Sequence, residues 1–347
     1  MTSLVSVVIP THDRSALVQR AIESALAQTH REVEVIVVDD GSHDSTVSDL
    51  HTRYGDDDRV VTIATENRGP SAARNTGLDA ATGTHAAFLD SDDVWHQWKL
   101  EFQLRCLELV PAAGMIWSDM AAVDPDGAPV AKRYLRTLYR HHGDIELADF
   151  MERETLSDPR TGEVSLWHGD PYRAMLFGNL VHTSTVLLTR ERLDTVGRFD
   201  ESLTVTGEDF DFHLRTCRAG PVALADVPTM TWRVGAFDQL TRRDLMTQMA
   251  RNYLTTIQKA VAADDGRLSE TESRRAVAKA HAWLGEELLT AGSAAEASGH
   301  LRTALGRHRR IRTVALLVLS KLPAPVGTTI RRLLGSLTRP FRRDSEG

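Results

Sequence analysis

Apolar and polar positions along the first ninety residues fall into blocks that alternate between a strand-like and a helical period. Val5–Pro10 is a short apolar run closed by proline and reads as a buried strand. Leu17, Ala21, Ile22, Ala25 and Leu26 then recur at helical spacing, with Ser15 as the candidate cap. Val33–Val38, β-branched and nearly all apolar, predicts a second strand covered on both faces and ending in Asp39-Asp40-Gly41-Ser42. Asp44 and Ser45 offer caps for a helix to about Tyr54. A third strand over Val60–Ala64 and a third helix over Pro70–Ala80, with proline near its first turn, lead to a fourth strand at His85–Leu89. Strand–helix repetition of this kind implies parallel strands joined by right-handed crossovers. Such sheets bind ligands beyond the carboxyl ends of their strands.

The candidate chemistry lies at those ends. Phe88-Leu89-Asp90-Ser91-Asp92-Asp93 closes an apolar strand with three carboxylates in four positions. Like charges so close repel, and a divalent cation with a preference for hard oxygen ligands, Mg²⁺ or Mn²⁺, offsets the cost. The alternative is a helix N-cap, with Ser91 or Asp92 opening the amphipathic segment Trp95–Leu109. Asp39 and Asp40 end the second strand, so two acidic clusters share one rim. No G-x-G-x-x-G follows a strand and no P-loop is found. Diphosphate charge would then fall to a metal, to Arg68 or Arg74, or to helix N-termini. For Arg74 the alternative is a solvated or ion-paired helix residue.

Composition narrows the classes. The 347 residues are 41% hydrophobic and 26% charged, as in an ordinary soluble globular protein, and the formal charge of -7 argues against a nucleic-acid partner. Cys106 and Cys217 are the only cysteines, so neither a disulfide framework nor a cysteine-rich zinc site is expected, and a reducing cytoplasm is the default. The N-terminus runs into Leu4–Ile9 as a first strand, not a signal peptide. The late apolar run Val314–Leu319 is far short of the roughly 20 residues that a spanning helix needs.

Together these segments closely resemble the large family 2 of inverting glycosyltransferases, of GT-A fold. The resemblance is carried by Val5–Arg14, by Val35–Ser42 with Asp44 and Thr46, by Asn67–Gly77 and by Phe88–Asp93. Gly197-Arg198-Phe199-Asp200-Glu201 and Gly207–Arg215 extend it, so that it covers about residues 3–235. It implies an α/β fold with a mostly parallel sheet flanked by helices. It also implies that Pro10, Thr11 and His12 line a nucleobase pocket in which Asp40 accepts a uracil-like imide N–H. Asn67 and Arg74 would lie near the ribose or diphosphate. Asp90 and Asp92 would form the family's D-x-D, with Asp92 the more direct ligand to Mn²⁺ or Mg²⁺. Asp209 falls where the family keeps its general base, beside Glu208 on the acceptor side, and His182 falls in the acceptor-side segment. A carboxylate base and a metal-neutralised diphosphate suit a single displacement with inversion. Glu208 and Asp209 also suit the cap of a helix over Phe210–Arg218. One departure is Trp232-Arg233-Val234-Gly235, which lacks the histidine many relatives carry there and leaves Arg233 as a weak substitute.

Residues 125–175 show no clean period and read as a variable insertion beside the acceptor cleft, with His141, His142 and His168 as solvated surface residues. From about Leu240 the pattern is wholly helical. Leu284, Gly285, Leu288, Ala297, Leu301 and Ala304 match the small–large register of one tetratricopeptide-like pair, a bracing hairpin. Beyond it, basic residues from Arg307 to Arg343 alternate with the apolar clusters Val314–Leu319 and Leu333-Leu334, as in an amphipathic tail resting on an anionic membrane, or in a solvated basic helix. The expected organisation is a catalytic domain over 1–239, divided into a nucleotide half (1–110) and an acceptor half (111–239), then a helical extension over 240–347. The expected partners are a uridine or thymidine diphosphate sugar, a glycan or lipid-linked acceptor, and the inner face of the membrane through the tail. The rival functions are a sugar nucleotidylyltransferase, which would need a basic Gly-rich loop in place of Pro10-Thr11-His12, and a degenerate sugar-nucleotide-binding or scaffold protein, against which Asp90, Asp92 and Asp209 speak.

Overall fold

A computed structural model describes residues 3–235 and 243–321. The chain divides into two compact units, one up to Arg242 and the other from Arg243.

The first unit opens with β1 (Val5–Thr11), α1 (Ser15–Leu26), β2 (Val33–Asp40), α2 (Thr46–Tyr54), β3 (Val60–Thr65), α3 (Pro70–Ala80) and β4 (His85–Phe88). It continues through β5 (Val94–Trp95), α4 (Lys99–Leu109), β6 (Met115–Val123), β7 (Pro129–Ala131) and the short α5 (Leu135–Leu138). Then come β8 (Met151–Asp158), β9 (Gly162–Gly169), α6 (Tyr172–Met175), β10 (Leu187–Thr189), α7 (Arg190–Val196), α8 (Glu208–Arg218) and β11 (Val222–Arg233). The strands form one sheet in the order β3-β2-β1-β4-β10-β6-β11-β9-β8, with β5 on β11 and β7 on β6. The first four are parallel, as their alternation with helices requires, and β10 is antiparallel to both its neighbours. The order reverses at β1, which lies between β2 and β4. A crevice therefore opens beyond the carboxyl ends of β1, β2 and β4. Val5, Val7, Val8 and Val35 are fully buried. Gly77 lets α3 settle on β1, because a Cβ there would lie 2.4 Å from Val8 Cγ1.

Several expectations at helix starts are corrected. The helix after the acidic cluster begins at Lys99 behind Trp98, not at Trp95, and Trp95 belongs to β5. Ser91 and Asp92 therefore cap nothing, and the capping explanation of the cluster falls. Ser15 lies inside the first turn of α1 and its hydroxyl donates to Asp49 Oδ2 at 2.6 Å, while Asp44 Oδ1 accepts from the Thr46 N–H at 2.9 Å. The aperiodic region contains the β8–β9 hairpin, which joins the sheet through β11. In β8 the four consecutive residues 152–155 are exposed, so the strand carries no apolar alternation to read. His141 and His142 are not solvated: their Nε2 atoms pair with the carbonyls of Ala174 at 2.8 Å and Leu180 at 2.9 Å.

The second unit contains α9 (Met246–Ala262), α10 (Glu270–Thr290), α11 (Ala294–Arg307) and α12 (Ile311–Leu319). A capping box of Ser269 and Glu272 opens α10. Leu284, Leu288, Ala297, Leu301 and Ala304 are buried between α10 and α11, and a Cβ at Gly285 would meet Leu301 Cγ at 2.7 Å. No helix among the described residues is long and apolar enough to cross a membrane. The distal part of the basic tail, including Leu333-Leu334, lies outside the described residues.

Candidate active site

One corner of the rim is built by the ends of β1 and β2. Gly41, at φ +76°, turns the chain after Asp40 and packs so closely on Asn67 that a Cβ would lie 2.8 Å from its backbone nitrogen. Asp40 accepts the backbone N–H groups of Arg68 and Gly69, each at 2.8 Å, one on each oxygen. That pairing ties the end of β2 to the loop that opens α3 and leaves each oxygen a second lone pair. His12 Nδ1 lies 3.0 Å from the Asp40 carbonyl, and Asn67 Nδ2 approaches the His12 ring at 3.4 Å. Pro10 precedes Thr11, whose buried Oγ1 has no hydrogen-bond partner among the described residues. The structure thus gathers Pro10, Thr11, His12, Asp40 and Asn67 at one corner.

Arg74 occupies the centre. It projects from α3, is only 5% exposed, and donates from Nη2 to Asp90 Oδ1 at 2.8 Å and from Nη1 to Glu208 Oε1 at 2.7 Å. Burial opposes its charge, but Asp90 and Glu208 more than offset that, and its pKa is raised. Burial would likewise raise Asp90, but Arg74, helped by His182, holds it below the usual carboxylate value. Arg74 is therefore an ion-paired residue of the site itself and not a solvated one.

The three acids after β4 face different partners. Asp92 sits between Arg14 Nη1 at 3.4 Å and Arg233 Nη2 at 3.7 Å. Asp93 is buried; its Oδ2 accepts from Ser184 Oγ at 2.5 Å, and its Oδ1 has no partner among the described residues. Burial, then the charges of Asp92 and Asp90, push the Asp93 carboxyl well above its ordinary pKa. One ligand atom each from Asp90, Asp93 and His182 lies within 4.8 Å of the other two. An orphaned carboxylate oxygen beside a second carboxylate and an imidazole fits a divalent cation. Burial lowers the His182 pKa to about 4, so the ring is the neutral form that ligates metals. The sequence reading named Asp90 and Asp92, whereas the structure clusters Asp90 with Asp93 and gives Asp92 to two arginines. Once the chain leaves the β4 pleat, alternation no longer says which acid turns inward.

The N-terminus of α8 faces the same cluster from the other side of Arg74. Gly207 precedes it at φ +90°, and Glu208, Asp209 and Asp211 fill the first turn, where the helix dipole favours negative charge. Glu208 is held by Arg74, while Asp209, partly open to solvent, has a pKa pushed up to about 7, by burial first and by Glu208 second. Tyr139, which sequence reasoning missed, reaches the same acids: burial and the charges of Asp209, Asp90, Asp93 and Glu208 raise its pKa. Its ring lies 6.5 Å from His182, which in turn lies 6.1 Å from Trp232, itself 5.3 Å from Tyr134. These rings form a chain of neighbours from Tyr139 to Tyr134. No periodic signal in residues 125–175 could have found Tyr139.

Comparison with known proteins agrees with this architecture. Residues 6–116 match the model of Glycosyl transferase family 2. A putative teichuronic acid biosynthesis glycosyltransferase, TuaG of Bacillus subtilis, is 36% identical over 130 residues, covering 37% of this chain and 51% of TuaG. The chain spans between 15% and 60% of the length of the uncharacterized Rickettsia glycosyltransferases it matches. Among solved structures, S. aureus TarS 1–349 in complex with UDP-GlcNAc superposes with a TM-score of 0.57 at 17% identity, covering 95% of this chain and 87% of TarS 1–349. The mannosyltransferase PcManGT from Pyrobaculum calidifontis, in complex with GDP-Man and Mn²⁺, gives 0.53 at 19% identity, covering 97% of this chain and 86% of that one.

Proposed function

We propose, from the premise that residues 6–116 form a glycosyl transferase family 2 domain within a GT-A fold, that this chain transfers a sugar from a nucleoside diphosphate sugar to an acceptor hydroxyl with inversion. The observation that carries the reading is the Glu208–Arg74–Asp90 bridge. It ties the first residue of α8 to the acidic cluster, and Asp209, the next residue, is poised near neutrality beside it. Asp209 takes the acceptor proton as the hydroxyl oxygen bonds to the anomeric carbon. The bond from that carbon to the diphosphate oxygen breaks, and the oxygen keeps the electron pair. With no side-chain nucleophile in the step, one displacement inverts the anomeric centre. Asp90, Asp93 and His182 would hold Mn²⁺ or Mg²⁺, which supplies Lewis-acid neutralisation of the departing diphosphate when bound. The complex of PcManGT with GDP-Man and Mn²⁺ supports that choice of group.

Pro10, Thr11, His12, Asp40 and Asn67 form the nucleoside corner. A second lone pair on Asp40 suits the N3–H of uracil or thymine, whereas the N3 of cytosine is itself an acceptor. The acceptor is a glycan or lipid-linked glycan of a surface polysaccharide, a reading favoured by TuaG's name. The catalytic domain is followed by a helical extension that makes peripheral contact with the inner face of the cell membrane. Calorimetry across a panel of nucleotide sugars with Mn²⁺ tests the donor. Uridine or thymidine diphosphate should bind more tightly than cytidine diphosphate by about 1–3 kcal/mol, the cost of an unpaired buried polar group. Tighter binding of cytidine diphosphate would overturn the nucleobase assignment.

A further inference from the structure

We propose that the outward face of α12 is a docking surface for an anionic lipid bilayer. This deepens the peripheral membrane contact proposed above and rests on it, but does not depend on the transferase chemistry. Ile311, Val314, Ala315 and Val318 follow one another at helical spacing, and all four face solvent, with Ile311 91%, Val314 47% and Val318 56% exposed. Thr313 and Leu319 are the buried residues of the same helix. A continuous apolar stripe turned outward marks an interaction site more than ordinary surface.

Charge selects the occupant. Arg309 and Arg310 are exposed just before the first turn, and Lys321 is exposed just after the last. Arg312, also exposed, pairs with Glu286 at 2.6 Å. From Arg307 to Arg343 the sequence holds ten Lys and Arg residues and no Asp or Glu. A second copy presenting the same face would bring like charges together, and residues 322–343 carry only further positive charge. A surface of anionic headgroups over acyl chains satisfies both the arginines and the stripe. With nine residues, α12 is too short to span and lies in the plane of the interface.

The test is co-sedimentation of the full chain with vesicles of phosphatidylcholine mixed with phosphatidylglycerol, and with vesicles of phosphatidylcholine alone. The comparison variant is Val314→Asp/Val318→Asp, whose positions are exposed and whose folding is checked by circular dichroism. The wild type should bind the anionic vesicles, release in high salt and bind the neutral ones weakly. The double variant should lose about tenfold or more in partitioning. Equal partitioning by variant and wild type, or equal binding to both vesicle types, overturns the proposal. So does a full chain that binds neither, whether a second copy or its own residues 322–347 cover the stripe; a dimer that the variant loses identifies the former. Calorimetric binding of uridine diphosphate reports on the catalytic site separately, so a failed vesicle assay leaves the transferase reading standing, and the converse holds.

Discussion

Replacing the proposed base, Asp209→Asn, should stabilise the protein while disabling it. The folded-state pKa of Asp209 is raised from 3.8 to about 7. Between those values the folded chain binds more protons than the unfolded one, so stability falls as pH rises through this window and is level above it. At 1.36 kcal/mol per pH unit, the penalty carried above pH 7 has a ceiling of about 4 kcal/mol. Asp209 is partly open to water, and screening reduces the expected gain to about 1–3 kcal/mol. The amide has no charge to desolvate beside Glu208, so the variant should lose this pH dependence and match the wild type near pH 4. Urea denaturation at several pH values, followed by tryptophan fluorescence, reads the first effect. Turnover should fall by about 10²–10⁴-fold. Wild-type turnover should itself decline about tenfold per unit below pH 7, where the base is protonated. A variant less stable than wild type at pH 8, or one keeping near-normal turnover with the same acid limb, would refute the assignment.

Arg74→Met should cost about 3–5 kcal/mol by leaving buried Glu208 and its neighbour Asp90 without their cation. Adding Glu208→Gln should restore part of that in a double-mutant cycle by urea denaturation, and strict additivity would show that the bridge is not coupled. In the acidic cluster, Asp93→Asn should weaken Mn²⁺ binding, measured by electron paramagnetic resonance without substrate, by about tenfold or more, and Asp92→Asn should weaken it less. The reverse order would return the ligand role to Asp92.

The parallel half of the fold was legible because both faces of β1 and β2 are covered, which leaves apolar runs broken by amphipathic or proline-opened helices. Four of the first strands and three helices lie within a residue or two of their predicted bounds. The carboxyl-end acids could be read for the same reason: a charge that ends a buried strand must emerge at the rim. Side-chain direction beyond the strand could not be read, and the different partners of Asp92 and Asp93 turn on it. Partners distant in sequence were equally hidden. Ser184 donates to Asp93 across 91 positions. Asn75 pairs both polar atoms of its amide with the backbone of Phe199, across 124. Tyr139 follows a short helix whose start is tied to β6, where Asp119 accepts from the backbone N–H groups of Tyr134 and Leu135 and the Met120 carbonyl accepts from Tyr134, and no local period records that.

The Gly197–Glu201 motif acquires a physical role from these contacts. Phe199 stacks on Phe212 of α8 with ring centroids 4.1 Å apart, and meets Phe88 of β4 edge-on at 5.1 Å. The Arg74 guanidinium lies over the same ring at 5.4 Å. One aromatic side chain therefore braces the strand that delivers Asp90, the helix that begins with Glu208 and Asp209, and the arginine that joins them. Burying an arginine between two carboxylates rarely adds net stability, because desolvation consumes most of the attraction. Its value here is geometric. Asp90 and Glu208 are 118 positions apart in sequence, and the shared cation offsets the repulsion between their charges where the end of β4 meets the start of α8. The arginine needs a rigid floor to hold that spacing, and Phe199, fixed through Asn75 to the helix that carries Arg74, provides it.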